Sequence, residues 1–187
     1  MVDAIRVFDD VLPDVEAYRA AALAATYQSV PLGPVTFHGI AVAPSSALAD
    51  WWARQDFPVE STITFLRRSP AGQGEPHYIH TDRDMGSWTA ILYLTADPAP
   101  GDGTTFWRNR ETGAVESTSE AFLEAFEWAD RARWEPYRTV EAKLNRAVVF
   151  PAGLYHSRAL VENYGETADT ARLIQVMFGG PAYERRH

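Results

Sequence analysis

From residue 61 to residue 178 the sequence is a succession of short β-branched and aromatic runs broken by turn residues. That succession limits the chain to a mainly β fold, because such runs fit a pleated, packed surface. The runs are "STITFLRR" (61–68), "WTAILYLT" (88–95), "TTFWR" (104–108), "RAVVF" (146–150), "YHSRALV" (155–161) and "RLIQVMF" (172–178), and "HYIHTD" (77–82) can also be extended. Between them lie turn-rich connections such as "SPAGQGEP" and "ADPAPGDG". Helical patterns flank and interrupt the series. "LPDVEAYRAAALAATYQ" (12–28) puts Pro13, Asp14 and Glu16 at a helix start, with Val15, Tyr18, Ala22 and Ala25 on one apolar face. "PSSALADWWARQ" (44–55) predicts a shorter helix begun by Ser45 or Ser46. At 117–132, Ser117 and Glu120 have capping-box spacing ahead of Phe122, Leu123 and Phe126. The expected class is α+β, mainly β, in one domain spanning 1–187. A helical N-terminal part (about 1–58) precedes a β core (about 61–180) of antiparallel strands forming a sandwich or barrel.

Charge and composition narrow the function classes. Acidic residues outnumber basic ones by 25 to 17, for a formal net charge of −8, which disfavours general nucleic-acid binding. There is no cysteine, so disulfides, iron–sulfur clusters and zinc-thiolate sites are excluded. Any metal must be held by His, Asp, Glu or water. "MVDAIRVFDD" lacks the basic start and apolar core of a signal peptide, and the stretch "AAALAA" is too short to span a bilayer. The expectation is a soluble cytoplasmic protein without membrane or nucleic-acid partners; oligomeric state is open.

The stretch "HYIHTDRDMG" (77–86) gathers two histidines and two aspartates. If it is extended, Tyr78, His80 and Asp82 share one face, and His77, Ile79 and Thr81 take the other. His80 and Asp82 then offer an imidazole and a carboxylate to one cavity, whereas His77 and Asp84 do not join them. Two His and one carboxylate on one face of an ion is the ligand set of many mononuclear non-haem iron sites. A second histidine must come from elsewhere: His38, His156 or His187. His156 follows a buried-type strand and a Pro-Ala-Gly turn, which favours it. Arg172 opens a strand that is apolar on both sides, so its guanidinium needs an anion. That anion is either a structural Asp or Glu, or the carboxylate of a small ligand held by parallel hydrogen bonds.

With "HTD" (His80, Asp82), "FPAGLYHSR" (His156) and "ARLIQVMF" (Arg172) in this order, the chain resembles the Fe(II)/2-oxoglutarate-dependent dioxygenase superfamily, on its prolyl-hydroxylase-like side. "ILYLT" followed by "GDGTTFW", "NRAVVFPAGLYH" and the opening "FDDVLPD" are similar to the same family's context, and the resemblance covers about 8–178. It implies a double-stranded β-helix (jelly-roll, cupin-like) core with the N-terminal helices packed on one sheet. It also implies Fe(II) held by His80, Asp82 and His156, with 2-oxoglutarate as co-substrate and O2 as oxidant. Arg172 would hold the distal carboxylate of 2-oxoglutarate. Many members carry Ser or Thr two residues after that basic residue; Ile174 stands there, so a hydroxyl from Tyr78 or Tyr93 is expected instead. Arg158, two residues after His156, is an alternative holder of 2-oxoglutarate or a contact for an acidic substrate. Trp107 is expected either in the pocket wall or in the core. The segment 108–145 is read as part of a lid or as a cover for the sheet.

The implied activity is hydroxylation of an unactivated C–H in a small molecule, amino acid or peptide, with release of succinate and CO2. Related halogenases lack the carboxylate that Asp82 supplies, while desaturation and ring closure depend on substrate pose. Two other readings stay open: a cupin-type metal dioxygenase or isomerase that does not use 2-oxoglutarate, and a non-catalytic β-sandwich that binds a ligand or partner.

Overall fold

In the computed structural model, residues 4–32, 35–55, 61–74, 79–117 and 131–180 are described. The strands form two antiparallel sheets. The larger has seven strands: β1 (Arg6–Phe8), β2 (Gln28–Leu32), β3 (Val35–Ala41), β4 (Ser61–Ser69), β5 (Trp88–Tyr93), β8 (Ala147–Pro151) and β10 (Arg172–Gly179), in the order β1-β8-β5-β10-β4-β3-β2. The smaller comprises β6 (Gly103–Asn109), β7 (Trp134–Glu141) and β9 (His156–Arg158), in the order β7-β6-β9. Two helices, α1 (Val15–Leu23) and α2 (Ala47–Ala53), complete the main elements.

The period-2 alternation of β5 explains how the layers are joined. Ala90 and Leu92 point one way, into a cluster with Tyr18 and Ala22 of α1, Leu48, Trp51 and Trp52 of α2, and Leu66, Leu173 and Met177 from neighbouring strands. Ile91 and Tyr93 point the other way, into a cluster with Val148, Phe150 and Ile174 of the larger sheet and Phe106 and Val140 of the smaller. A strand with apolar side chains on both faces therefore sits at the centre, covered by helices on one side and by the second sheet on the other. Each fully buried Leu or Phe here contributes about 1.5–3 kcal/mol.

Asp14 is the N-cap of α1, its carboxylate accepting from the Ala17 N–H at 3.1 Å. The helix is shorter than the apolar stripe suggests. Tyr27 donates its hydroxyl to the Ala22 carbonyl, and Gln28 already pairs with β3. The N-terminal part is thus not purely helical, because β1, β2 and β3 all extend the larger sheet. In the segment 108–145, read as lid or cover, the C-terminal portion is β7, a strand of the smaller sheet paired with β6 from Gly103↔Glu141 to Asn109↔Trp134. Of the helix expected at 117–132, residues 118–130 lie outside the described residues.

Gly103 starts β6 with φ +152°, and a Cβ there would lie 2.1 Å from the Val140 carbonyl oxygen. Close approach of β6 to β7 accordingly requires glycine at the end of "PGDG".

Candidate metal centre

The two halves of the site come from distant segments joined edge to edge. His80 and His156 form an antiparallel bridge, each backbone N–H donating to the other's carbonyl at 2.9 Å. This fixes the His80 segment beside β9, at the edge of the smaller sheet. Asp82 is anchored by its N–H donating to the Ala152 carbonyl at 2.8 Å. The turn following β8 therefore positions both His156 and Asp82.

The side chains converge. Asp82 Oδ2 lies 3.2 Å from His156 Nε2, and Asp82 Oδ1 lies 3.6 Å from His80 Nε2. One ligand atom from each of the three residues lies within 4.8 Å of the others. Two cis ligands bound at about 2.1 Å sit roughly 3 Å apart, so this spacing fits a shared divalent ion. His156 is nearly enclosed, at 4% side-chain exposure, whereas His80 is 35% exposed and forms the open side.

Surrounding groups orient the ligands. His156 Nδ1 lies 2.9 Å from the Leu154 carbonyl, a contact that requires the proton on Nδ1 and directs Nε2 inward. Phe150 meets the His156 ring edge-on at 4.7 Å, and Phe106 lies 6.4 Å away. Thr89 donates its hydroxyl to Asp82 Oδ2 at 2.8 Å. Burial opposes ionisation of Asp82, but the His156 and His80 imidazoles and the Thr89 hydroxyl outweigh it and hold the carboxyl at about 2. Burial also opposes protonation of His156, yet Asp82 pulls its pKa above the ordinary value.

The remaining sequence-derived candidates separate. Arg172 is buried and its Nε donates to Asp102 Oδ1 at 2.9 Å; of the two anions open to it, the structure supplies an aspartate. Tyr93 is buried beside Ile174, its hydroxyl 2.7 Å from Thr104 Oγ1, and burial raises its pKa. Arg158 engages its own following loop, donating to Asn163 Oδ1 and to the Val161 carbonyl. Trp107 alternates with Phe106 on β6 and packs with Ile79, Trp134 and Tyr155, in a cluster separate from the one holding Phe106; its Nε1 donates to Ser157 Oγ at 3.0 Å. These contacts place it in a core cluster. His38 sits on β3 with Nδ1 2.7 Å from Ser29 Oγ, apart from the metal residues. Tyr78, His77 and His187 lie outside the described residues.

Thr89 and Asp102 were not singled out from the sequence. Thr89 carries a usable signal, since it opens the inward-facing Thr89, Ile91, Tyr93 set of β5 as a buried hydroxyl. Asp102 carries a weaker one, as the acid between the two glycines of "GDG".

Solved structures with the same fold include metal-dependent enzymes. SnoK, a non-heme alpha ketoglutarate dependent carbocyclase from nogalamycin biosynthesis, is 16% identical with a TM-score of 0.56, covering 95% of this chain and 79% of SnoK. HygX from Streptomyces hygroscopicus, with nickel, 2-oxoglutarate and hygromycin B bound, is 15% identical with a TM-score of 0.57, covering 96% of this chain and 84% of HygX. The epimerase SnoN, in complex with Fe3+, alpha ketoglutarate and nogalamycin RO, is 16% identical with a TM-score of 0.56, covering 93% of this chain and 77% of SnoN. No curated protein matches the sequence. Residues 70–178 match a family described as being of unknown function, DUF6445. Among the described residues, no helix is long and apolar enough to cross a membrane.

Proposed function

The chain belongs to DUF6445, and we propose that it is a non-haem Fe(II)- and 2-oxoglutarate-dependent oxygenase acting on a small molecule, amino acid or peptide. In this reading, 1–187 is one catalytic domain of the double-stranded β-helix type. The observation that carries it is the convergence of His80, Asp82 and His156 within 4.8 Å. The donor set fits: two imidazole nitrogens, one with its tautomer fixed by the Leu154 carbonyl, and a carboxylate held ionised. These three residues would hold the iron and leave positions open for co-substrate and O2. When bound, iron and 2-oxoglutarate supply the oxidising chemistry, with succinate and CO2 as by-products.

The chain's own residues bind, orient and exclude water. Thr89 keeps Asp82 in position and charged. Phe106 and Phe150 cover the buried side of His156, and Arg172 is the preferred holder of the distal carboxylate of 2-oxoglutarate. Tyr93, and Tyr78 by sequence, are the proposed hydroxyls of that subsite. Arg158 is assigned to loop anchoring rather than to the co-substrate, given its hydrogen bonds to Asn163 and Val161.

The names of SnoK, HygX and SnoN support both the cofactors and a small-molecule substrate class. They also attach more than one outcome, cyclisation and epimerisation, to this fold. Hydroxylation is the expected outcome here because Asp82 completes the carboxylate-containing ligand set. Anaerobic Fe(II) with 2-oxoglutarate should give a weak visible charge-transfer band that is lost in His80→Ala and His156→Ala. A wild-type protein that gives no band and forms no succinate with any substrate would return the site to a binding role.

A further inference from the structure

The long connection between β9 and β10 has a structural purpose that the spacing alone conceals. Arg172 lies sixteen positions after His156. The intervening loop is pinned along its length. The Asn163 side-chain amide donates to the Gln73 carbonyl at 2.7 Å, and the Ala71 N–H donates to the Gly165 carbonyl at 2.8 Å. Arg19 pairs with Asp169 at 2.8 Å. Between these anchors Tyr164 points its hydroxyl at Asp102 Oδ2, 2.7 Å away.

Asp102 is itself held from several sides. Its N–H donates to the Ala99 carbonyl, and its carbonyl accepts from the Ala142 N–H. Its Oδ1 accepts from the Gly103 N–H at 2.7 Å as well as from Arg172 Nε. The Asp102 side chain is 1% exposed and that of Arg172 is 6% exposed. A carboxylate this fixed can fix what it touches.

The contact uses only part of the arginine. A guanidinium has five N–H donors in a planar fork. Among the described residues, Nε to Asp102 is the one hydrogen bond the Arg172 guanidinium makes. A buried pair built only for stability gains most from two parallel bonds. Here the aspartate takes the Nε edge and leaves the Nη edge, on a side chain that shares its strand face with Ile174, which pairs in turn with Tyr93.

We propose that Asp102, steadied by Tyr164, is a positioning residue that holds Arg172 by its Nε edge so that its Nη fork receives the distal carboxylate of the co-substrate. The inference rests on the 2-oxoglutarate reading and adds to it a dedicated aspartate and a loop that exists to place Tyr164. Asp102 acts through Arg172 and does not itself touch the co-substrate.

The test measures binding to Mn(II)-loaded protein by calorimetry, with two probes: 2-oxoglutarate, and 2-oxopentanoate, which keeps the chelating end and lacks the distal carboxylate. In Asp102→Asn, the 2-oxoglutarate dissociation constant should rise at least about tenfold, as expected for a lost charge-assisted contact. The 2-oxopentanoate and Mn(II) constants should stay within about twofold, whereas a general folding defect would weaken both probes alike. Tyr164→Phe, a milder change, should move only 2-oxoglutarate, by about threefold, and serves if Asp102→Asn does not fold. Equal weakening of both probes, or tighter 2-oxoglutarate binding in Asp102→Asn, overturns the proposal, the latter by making Asp102 a competitor for Arg172. Wild-type protein that binds Mn(II) and 2-oxopentanoate but gains nothing from the distal carboxylate overturns the distal subsite. Wild-type protein that binds neither oxo acid overturns the co-substrate reading itself, and the positioning role with it.

Discussion

Thr89→Val removes one hydroxyl from beneath the candidate metal ligands and nothing else of comparable size. Thr89 is 0% exposed, and its hydroxyl donates to Asp82 Oδ2 at 2.8 Å. The same oxygen faces His156 Nε2 at 3.2 Å, so among the described residues the substitution leaves Oδ2 with that neighbour to orient it. A hydrogen bond to a charged group contributes about 1.5–3 kcal/mol. Partners of ligating groups are worth about 10–100-fold in metal affinity, or about 1.4–2.7 kcal/mol. The two scales agree, so Thr89→Val should weaken Fe(II) or Co(II) binding by about 10–100-fold. The valine methyl fills the hydroxyl's space, so the apolar packing around it should hold. Anaerobic Co(II) titration followed by its visible bands measures the affinity. Chemical denaturation of the metal-free protein measures the stability, which should fall by about 1.5–3 kcal/mol. Metal affinity within about twofold of wild type would show that Asp82 needs no orienting hydroxyl and would refute the reasoning.

Other expected outcomes separate scaffold from site. Leu173→Ala opens a cavity in the cluster shared by α1, α2 and the larger sheet, where Leu173 is 1% exposed. It should cost about 2–5 kcal/mol by denaturant unfolding, with metal affinity unchanged. Gly103→Ala puts a Cβ 2.1 Å from the Val140 carbonyl at φ +152°, and the backbone conformation alone should cost about 1–3 kcal/mol in the same assay. The metal-free protein should show a distinctive pH response, because Asp82 raises the pKa of His156 above 6.5 on folding. That stabilisation is fully present below 6.5 and is lost as pH rises through the raised value. The melting-temperature advantage of wild type over Asp82→Asn, measured with chelator present, should therefore shrink as pH rises above 6.5. Metal affinity should climb over the same interval, since the ion displaces the His156 proton.

The sequence made the β core visible because its strands are buried and strongly patterned. The alternation in "WTAILYLT" and "RLIQVMF" survives as β5 and β10, the paired centre of the larger sheet. The outer strands were harder to see. β2 contains Pro31, β3 contains Gly39, and β7 is largely exposed and begins "WEP", so none carries the pattern of a buried strand. Their pairing is set by neighbours distant in sequence rather than by local preference. Alternation correctly grouped His80 with Asp82, and the buried-type strand before His156 singled it out from the other histidines. It could not foresee that His80 and His156 would be joined by backbone hydrogen bonds, which is what brings their rings to 4.4 Å.

Arg172 marks where reading along the chain stops and the sheet takes over. Its burial in an apolar strand demanded an anion, and both an aspartate and a ligand carboxylate satisfied that demand on paper. The aspartate stands 70 residues upstream, in a turn whose residue types advertise only a change of direction. That turn does two jobs with adjacent residues. Gly103 permits β6 to approach β7, and Asp102 reaches across to β10. The ladder β7-β6 and the placement of the guanidinium are consequently one structural event, so a change that shifts the start of β6 must also shift Arg172. If Arg172 holds the co-substrate as proposed, the "GDG" turn constrains its geometry through Asp102 as directly as "HTD" would constrain the metal.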